Sequence, residues 1–340
     1  MRLFANANYD FLRRRRIAYL ITLVLTVPGL LIVLFRGLNY SVEFTGGTLM
    51  QVQSQKPVDV GVVRNALTER GIEGAEIQSF GSNRELVIRA RVAKEGTDAD
   101  DTQATGSALQ QALDAVLGAG NYTILRTEAV GPKVGGELRE KALLAILLSF
   151  VAVLIYLAYR FEWRFGVAAV IATAHDILAS IAFIGLVRLE VSLFVVAGLM
   201  TIIGYSLNDT IVIFDRIREN LHLRKREQFA DILNRSINET LPRTVFTGTT
   251  ALGSLLALAV LGGDVVRPFA LLMLFGVIVG TFSSIFIAAP ALLEIEKRWP
   301  GPAARGHMTP KSPAVPVRKP QPAGAGSGAG APRAGGQRGR

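Results

Sequence analysis

Six long apolar stretches dominate the pattern of hydrophobic and polar positions along the chain. A transmembrane helix needs about 20 predominantly apolar residues. Stretches of this kind occupy positions 17–34, 142–158, 167–187, 193–214, 245–261 and 269–293. We therefore expect an α-helical polytopic membrane protein with six transmembrane helices.

The segment 37–140, between the first two spans, has the pattern of a small soluble α+β domain. Its segments read as strand, helix, strand, strand, helix and strand: 48–54, 58–70, 75–80, 85–92, 98–117 and 122–130. Gly71 is expected to cap the C-terminal end of the helix at 58–70, and residues 81–84 have the composition of a hairpin turn. The order β-α-β-β-α-β predicts a ferredoxin-like sandwich.

Basic residues set the expected orientation. Four arginines, residues 13–16, precede the first span, so the positive-inside rule keeps segment 1–16 in the cytoplasm. The first span, 17–36, is longer than the apolar region of a signal peptide and is expected to stay as an anchor. With six spans both termini are cytoplasmic, domain 37–140 is extracytoplasmic, and 141–298 holds spans two to six with a cytoplasmic connection at about 215–243.

Composition agrees with this division. Half of the residues are hydrophobic and 19% are charged, which is too apolar for a soluble protein of this length. The net charge of +10 follows the predicted cytoplasmic segments, so topology explains it better than nucleic-acid binding does. No cysteine is present, which excludes disulfides and thiolate metal sites.

The segment 299–340 is expected to be a disordered basic cytoplasmic tail. Residues 300–340 contain no acidic side chain and almost no large apolar one, so no core can form there. Contact of its bases with anionic lipid headgroups, contact with ribosomal RNA, and a solvated tail without a specific partner remain alternatives.

Asp209 is the main candidate for chemistry inside the membrane. An ionisable group in a span is costly and marks a functional site by default. Thr201, Tyr205 and Asn208 lie at helical spacing from it and form a polar stripe. A poorly hydrated carboxyl group favours its neutral form, which suits a proton relay. The alternative is a buried carboxylate that is hydrogen-bonded to Asn208 and to a neighbouring helix for packing only.

Arg243 is the candidate partner of Asp209. It shares one helical face with Thr247, Thr250 and Ser254, and its permanent charge favours an ionised Asp209. Ordinary snorkelling of Arg243 to the cytoplasmic interface is the alternative.

Other polar and small residues in the spans have weaker patterns. His175 and Asp176 form a candidate pair for the same relay or, alternatively, a hydrogen-bonded contact between helices. Gly276, Gly280 and Ser284 have the spacing of a close helix–helix contact. After the fourth span, three apolar residues at helical spacing predict an amphipathic surface helix: Phe229, Leu233 and Ile237.

Enzymatic motifs are absent from the sequence. It has no P-loop, no nucleophile elbow and no zinc-ligand cluster, and its three histidines lie far apart. We therefore expect no enzyme activity and no cofactor, with protons as the coupling ion. A proton that crosses a membrane potential of 100 mV supplies about 2.3 kcal/mol, which could drive work without a nucleotide.

Motifs spread over residues 10–298 resemble those of the SecF family of the bacterial protein-export system. The longest is 204–220, which contains Asp209 and ends in a segment with Asp215 and Arg216. Residues 41–43 depart from the family pattern, since Ser and Glu stand where many relatives carry Gly and Asp. The further matching segments are Phe44-Thr45-Gly46-Gly47, 130–135, 160–164, His175-Asp176 and 234–244.

The resemblance implies one half of a twelve-span unit of the resistance-nodulation-division superfamily in the cell inner membrane. It implies that Asp209 and Arg243 act in proton coupling, with Asn208, His175 and Asp176 as weaker candidates, and that the proton motive force promotes late steps of export. The implied partners are SecD, the SecYEG translocon with SecA, the small subunit YajC, a translocating preprotein and membrane lipids, without specific nucleic acid.

Two other functions fit the same pattern. A proton-coupled exporter of small molecules or lipids shares the transmembrane design, because an intramembrane Asp does not name the cargo. A purely structural scaffold requires the packing glycines and not the charge of Asp209.

Overall fold

The computed structural model describes residues 7–70, 72, 75–80, 82–90, 99–302 and 304–307. Short 3-10 turns at Leu12–Arg14 and Arg305–His307 lie near the two ends of this part. In chain order the elements are α1 (Arg15–Arg36), β1 (Asn39–Tyr40), α2 (Val42–Thr45), β2 (Gly47–Ser54), α3 (Val60–Glu69), β3 (Glu76–Phe80), β4 (Ser82–Ala90), α4 (Ala99–Leu117), β5 (Tyr122–Val130), α5 (Pro132–Arg160), α6 (Trp163–Val187), β6 (Glu190–Val191), α7 (Leu193–Leu223), α8 (Phe229–Leu261), α9 (Gly263–Ser283), a π-helical turn (Ser284–Ala288) and α10 (Ala289–Arg298).

Six helical segments of the described residues are long and apolar enough to cross a membrane, which confirms the predicted number. They are α1, α5, α6, α7, α8 and the continuous segment formed by α9, the π-helical turn and α10. The π-helical turn lets the last segment change its helical phase midway. Every segment extends past its apolar stretch, because hydrophobicity marks the lipid-embedded part and not the ends of a helix.

The expected cytoplasmic connection at about 215–243 is mostly helical. Only residues 224–228 separate α7 from α8. The surface helix predicted from Phe229, Leu233 and Ile237 does not stand apart, since all three side chains are buried and belong to α8. These residues pack against the other spans, so the helix continues through Pro242 into the membrane segment.

The α+β domain, residues 47–130, confirms the predicted order of elements. Its antiparallel sheet has the strand order β3-β4-β2-β5, and α3 and α4 pack on one face. β4 begins at Ser82, so most of the predicted turn 81–84 belongs to the strand. The predicted C-cap Gly71, turn residue 81 and helix start at 98 lie outside the described residues.

The predicted packing glycines of the sixth segment lie against α7. A Cβ atom on Gly276 would meet Ile202 at 2.3 Å, and one on Gly280 would meet the Cβ of Ser206 at 2.9 Å. Side chains larger than hydrogen would therefore separate α7 from α9.

The beginning of the segment predicted as a disordered tail is folded. The backbone N–H of Gly301 donates to buried Glu296 at 2.7 Å, and Arg164 donates to the carbonyl of Trp299 at 2.7 Å. His307 Nδ1 lies 2.8 Å from the carbonyl oxygen of Glu227. Arg164 and Glu227 come from elements distant in sequence, which composition alone does not reveal. Residues 308–340 lie outside the described part, as do residues 1–6 of the predicted cytoplasmic N-terminus.

Candidate functional site

A cluster of polar side chains joins three membrane helices around Asp176. This residue lies on α6 and is fully buried. Its Oδ2 atom accepts hydrogen bonds from Ser206 of α7 and, at 2.7 Å, from Ser283 of α9. Because buried polar groups are costly without partners, these two bonds allow a carboxyl group to lie between apolar helices.

His175 supplies a further contact to the same carboxyl group. Its Nδ1 atom lies 2.9 Å from Asp176 Oδ1, while its Nε2 atom is buried without a hydrogen-bond partner among the described residues. A carboxylate only accepts hydrogen bonds, so two serine hydroxyls and an imidazole N–H can all serve an ionised Asp176. The structure thus brings together His175 and Asp176, as predicted, and adds the two serines.

Asp209 lies on α7 three residues after Ser206, on the same buried side of the helix. Its residue exposure is 3%, and its Oδ2 atom has no hydrogen-bond partner in the described part of the chain. Leaving a buried charged oxygen unpaired is unfavourable. Asp209 is therefore less well satisfied than Asp176 and is the better candidate for gaining and losing a proton.

The residues of the predicted polar stripe do not face the same way as Asp209. Thr201 and Asn208 are exposed at the surface of α7, and the hydroxyl of half-buried Tyr205 donates to the carbonyl of Thr247 at 3.4 Å. Asp209 instead faces inward with Ser206. No hydrogen bond joins Asn208 to Asp209 among the described residues, so packing through Asn208 does not explain the carboxyl group.

Arg243 lies on α8 and acts electrostatically on Asp209, without a direct ion pair between them in the described structure. The arginine is exposed, as are Thr250 and Ser254 on the same helical face. Close to it, the hydroxyl of Thr244 is buried and has no partner within the described part. The predicted neighbourhood of Arg243 and Asp209 is present, but the two side chains do not touch.

Asp215 and Arg216 hold the C-terminal part of α7 to its neighbours. Asp215 accepts a hydrogen bond from Arg160 at 2.6 Å, and Arg216 donates to Glu239 of α8 at 2.6 Å. Asn220 also donates to Glu239, at 2.9 Å. These contacts fix α7 against α5 and α8, well away from Asp209 along the helix.

The Phe-Thr-Gly-Gly motif joins the end of α2 to the start of β2. Phe44 is buried, and Thr45 donates through its hydroxyl to the carbonyl of Ser41 at 3.2 Å. Gly46 and Gly47 have φ angles of 73° and 126°, which favour glycine. The motif therefore has a structural position outside the polar cluster.

Ser206 and Ser283 were not singled out from the sequence as functional residues. Ser206 lies one helical turn before Asp209, which is a usable signal. Ser283 stands one position before Ser284 of the predicted small-residue pattern, and nothing local distinguishes it. In the part of the chain that is described, no group of three His, Asp or Glu side chains is arranged to hold a metal ion.

Comparison with known proteins gives matches over nearly the whole described chain. The family "Protein export membrane protein SecD/SecF, C-terminal" matches residues 109–298, and the "SecD/SecF GG Motif" matches residues 32–58. Protein translocase subunit SecF of Gemmatimonas aurantiaca is 55% identical over 88% of this chain and 91% of its own. The SecF subunit of Magnetococcus marinus is 45% identical over 86% of this chain and 94% of its own.

A solved structure has the same fold. The crystal structure of SecDF from Thermus, described as a translocon-associated membrane protein, matches with a TM-score of 0.76 and 38% identity. The match covers 86% of this chain, which spans 39% of the length of that SecDF chain.

Proposed function

Because the chain belongs to the SecD/SecF family of protein-export membrane proteins, we propose that it uses the proton motive force, as the SecF-type half of a SecD–SecF unit, to promote late steps of Sec-dependent export. Protons are the coupling ion in this proposal, which includes no enzymatic reaction and no cofactor. SecD is the proposed direct partner, since the matching SecDF chain is more than twice as long.

The observation that carries the proposal is a carboxyl group inside a membrane helix with an unsatisfied oxygen. Asp209 is buried, its Oδ2 atom lacks a described partner, and Arg243 lies within electrostatic range. Protonation removes the cost of the unpaired charge, and deprotonation restores the attraction to Arg243. The two protonation states of Asp209 therefore favour different arrangements of α7 and α8.

The remaining partners and the orientation follow from the same proposal. The chain lies in the inner membrane with both termini in the cytoplasm and residues 37–140 outside it, as the basic segments support. A preprotein emerging from SecYEG, after SecA has acted, is the proposed substrate of the movement, with YajC as an accessory subunit. Membrane lipids surround the spans, and no nucleic acid takes part.

Two alternative functions make different predictions. A proton-coupled exporter of small molecules or lipids also depends on Asp209, but its activity does not require a preprotein. A scaffold depends on glycines at helix contacts, such as Gly280, and tolerates loss of the charge of Asp209. The similarity to curated SecF subunits along most of the chain favours the export proposal over both.

The test compares native chain with Asp209→Asn in membrane vesicles that carry SecD and SecYEG. Completion of preprotein export is measured with and without a proton gradient, at matched amounts of assembled complex. We expect Asp209→Asn to lose the stimulation by the gradient, because asparagine cannot change its charge. Stimulation that persists in this variant would contradict the proposed proton coupling.

A matched control removes a carboxylate elsewhere in the same chain. Asp231 lies exposed in the first turn of α8. Asp231→Asn should retain the gradient-dependent stimulation, because this side chain is exposed to solvent and is not part of the buried site around Asp209. Equal losses in both variants would show a general effect of negative charge and would contradict a specific role of Asp209.

A further inference from the structure

The chain after α1 and the chain before α7 are bound together into one structural unit. β1 pairs in parallel with β6, with Asn39 opposite Glu190, and the backbone N–H of Ser41 donates to the carbonyl of Val191 at 2.9 Å. Arg188 donates to the carbonyl of Gly37 at 2.8 Å. We call residues 37–47 and 188–192 the GG joint, because its first segment ends at the two motif glycines.

The GG joint holds the first turn of α7 through Glu43. The Oε2 atom of Glu43 accepts a hydrogen bond from the backbone N–H of Leu193 at 2.6 Å. Leu193 is the first residue of the 31-residue helix that carries Asp209. A carboxylate at a helix N-terminus satisfies a free N–H group and interacts favourably with the helix dipole. Glu43 is thus a side-chain contact between the GG joint and the backbone of α7.

A charge pair ties the α+β domain to the same joint. Arg89 lies on β4, and its guanidinium forms an ion pair with Glu190 of β6, three residues before α7 begins at Leu193. The side chains of Arg89 and Glu190 are only 14% and 27% exposed. A partly buried pair is sensitive to the loss of one partner, because the remaining charge is left without compensation.

Arg89 extends from the sheet face opposite the two domain helices. Neighbouring Ile88 and Ala90 point into the helix-covered core, so Arg89 points to the other face. There a cavity of about 270 Å³ separates the sheet from the α6–α7 connection. The second partner of Arg89 is Glu76, at 3.7 Å, which is 58% exposed and lies within the sheet itself.

We propose that Arg89, Glu190 and Glu43 are positioning residues that make the α+β domain and α7 move as one unit. A displacement of α7 caused by proton exchange then moves the domain, and a force on the domain acts back on α7. The functional part of this inference rests on the proposed proton coupling, whereas the mechanical part concerns the chain alone. It assigns the GG joint a role in transmitting movement between the domain and α7.

The mechanical part is tested by a distance measurement in the full chain reconstituted with SecD. The sequence has no cysteine, so spin labels are placed at Asn65→Cys on α3 and Phe194→Cys on α7. We expect one narrow distance distribution in the otherwise native chain and a broad one in Arg89→Glu or Glu190→Gln. A narrow distribution in both variants would overturn the joint movement.

Gradient-dependent export is measured in parallel, per assembled complex. Arg89→Glu and Glu190→Gln should lose stimulation by the gradient and keep gradient-independent export. The charge-swapped chain, in which Glu76→Gln accompanies Arg89→Glu and Glu190→Arg, should regain the narrow distribution and the stimulation. If the charge pair only stabilised the fold, its loss would not change the stimulation per assembled complex. If the charge-swapped chain fails to restore either readout, the assignment is overturned.

Two further comparisons separate this inference from the proposed function. Glu76→Gln removes the partner of Arg89 that makes no connection to α7, and we expect both readouts to stay native. If Asp209→Asn retains stimulation, the proton-coupled function fails, and the distance measurement still decides whether the domain and α7 form one unit. A broad distribution with full stimulation in Arg89→Glu would overturn the transmission role.

Discussion

Replacement of Gly135 by alanine tests how closely α5 approaches the GG joint. A Cβ atom at this position would lie 2.9 Å from the backbone nitrogen of Gly46 and 3.3 Å from the carbonyl oxygen of Glu43. Favourable contacts between such atoms occur near 3.5–4.0 Å, so α5 or the glycine turn must retreat by roughly 0.5–1 Å. Both obstacles are backbone atoms, which cannot move aside as a flexible side chain does.

The next residue of α5 provides the matched control. Gly136 is exposed, and a Cβ atom there would meet nothing within 4 Å. Both substitutions gain about 0.5–1 kcal/mol from replacing glycine inside a helix. Only Gly135→Ala adds the cost of an overfilled contact, about 1–3 kcal/mol. The helix gain cancels in the comparison, so Gly135→Ala should be about 1–3 kcal/mol less stable than Gly136→Ala.

The measurement is the free energy of unfolding of the two full-length variants in the same detergent, from denaturant titrations followed by circular dichroism. Unchanged slopes of the titrations would show that the same transition is compared. Equal stabilities would refute the close approach of α5 to Gly46. A more stable Gly135→Ala would show that the contact adapts without strain.

Two further predictions concern the helix contact beside Asp176 and a tyrosine of the α+β domain. Gly280→Ala places a Cβ atom 2.9 Å from that of Ser206 and should lower the free energy of unfolding by about 1–3 kcal/mol. Gly253→Ala is the control, because its Cβ atom would meet nothing within 4 Å and should not lower the stability. Equal free energies of unfolding of the two variants in a denaturant titration would contradict the contact. Burial, the hydrogen bond to Asp114 at 2.8 Å and the Asp114 charge raise the pKa of Tyr122 to about 12, from an ordinary value of 10.0. Because the pKa of Tyr122 is higher in the folded chain than in the unfolded chain, the protonated tyrosine stabilises the fold. This stabilisation is complete below about pH 10 and is lost as the pH rises through about 12. Asp114→Asn should lower the tyrosine pKa in an ultraviolet titration, and an unchanged curve would exclude the hydrogen bond as a cause.

The structure separates two kinds of membrane carboxyl group. Asp176 is surrounded by donors from three helices, so its bonds hold α6, α7 and α9 together. Asp209 lies nearby on α7 with an unpaired oxygen. Asp209 therefore has an unsatisfied buried oxygen, whereas both carboxyl oxygens of Asp176 take part in hydrogen bonds. This difference in hydrogen bonding favours Asp209 over Asp176 as the candidate for the proposed proton exchange.

The sequence by itself determined the number of spans and the order of the α+β domain. Both depend on local patterns, since roughly 20 apolar residues suffice for a span and strand or helix periodicity is visible within a few turns. The cost of an ionisable group in lipid also made Asp209 the main candidate without a structure. Local sequence patterns did not predict the exact ends of the helices. Phe229, Leu233 and Ile237, for example, belong to a membrane helix because they are buried against other spans.

Only the tertiary structure decided which residues meet. Helical periodicity gives the angle between Asn208 and Asp209 but does not show which of the two faces the protein. Ser283 reaches Asp176 across 107 residues of chain, and Glu43 reaches the first turn of α7 across 150. Such contacts depend on how helices pack together, so no pattern within one segment contains them. The polar cluster and the GG joint are for this reason properties of the folded chain.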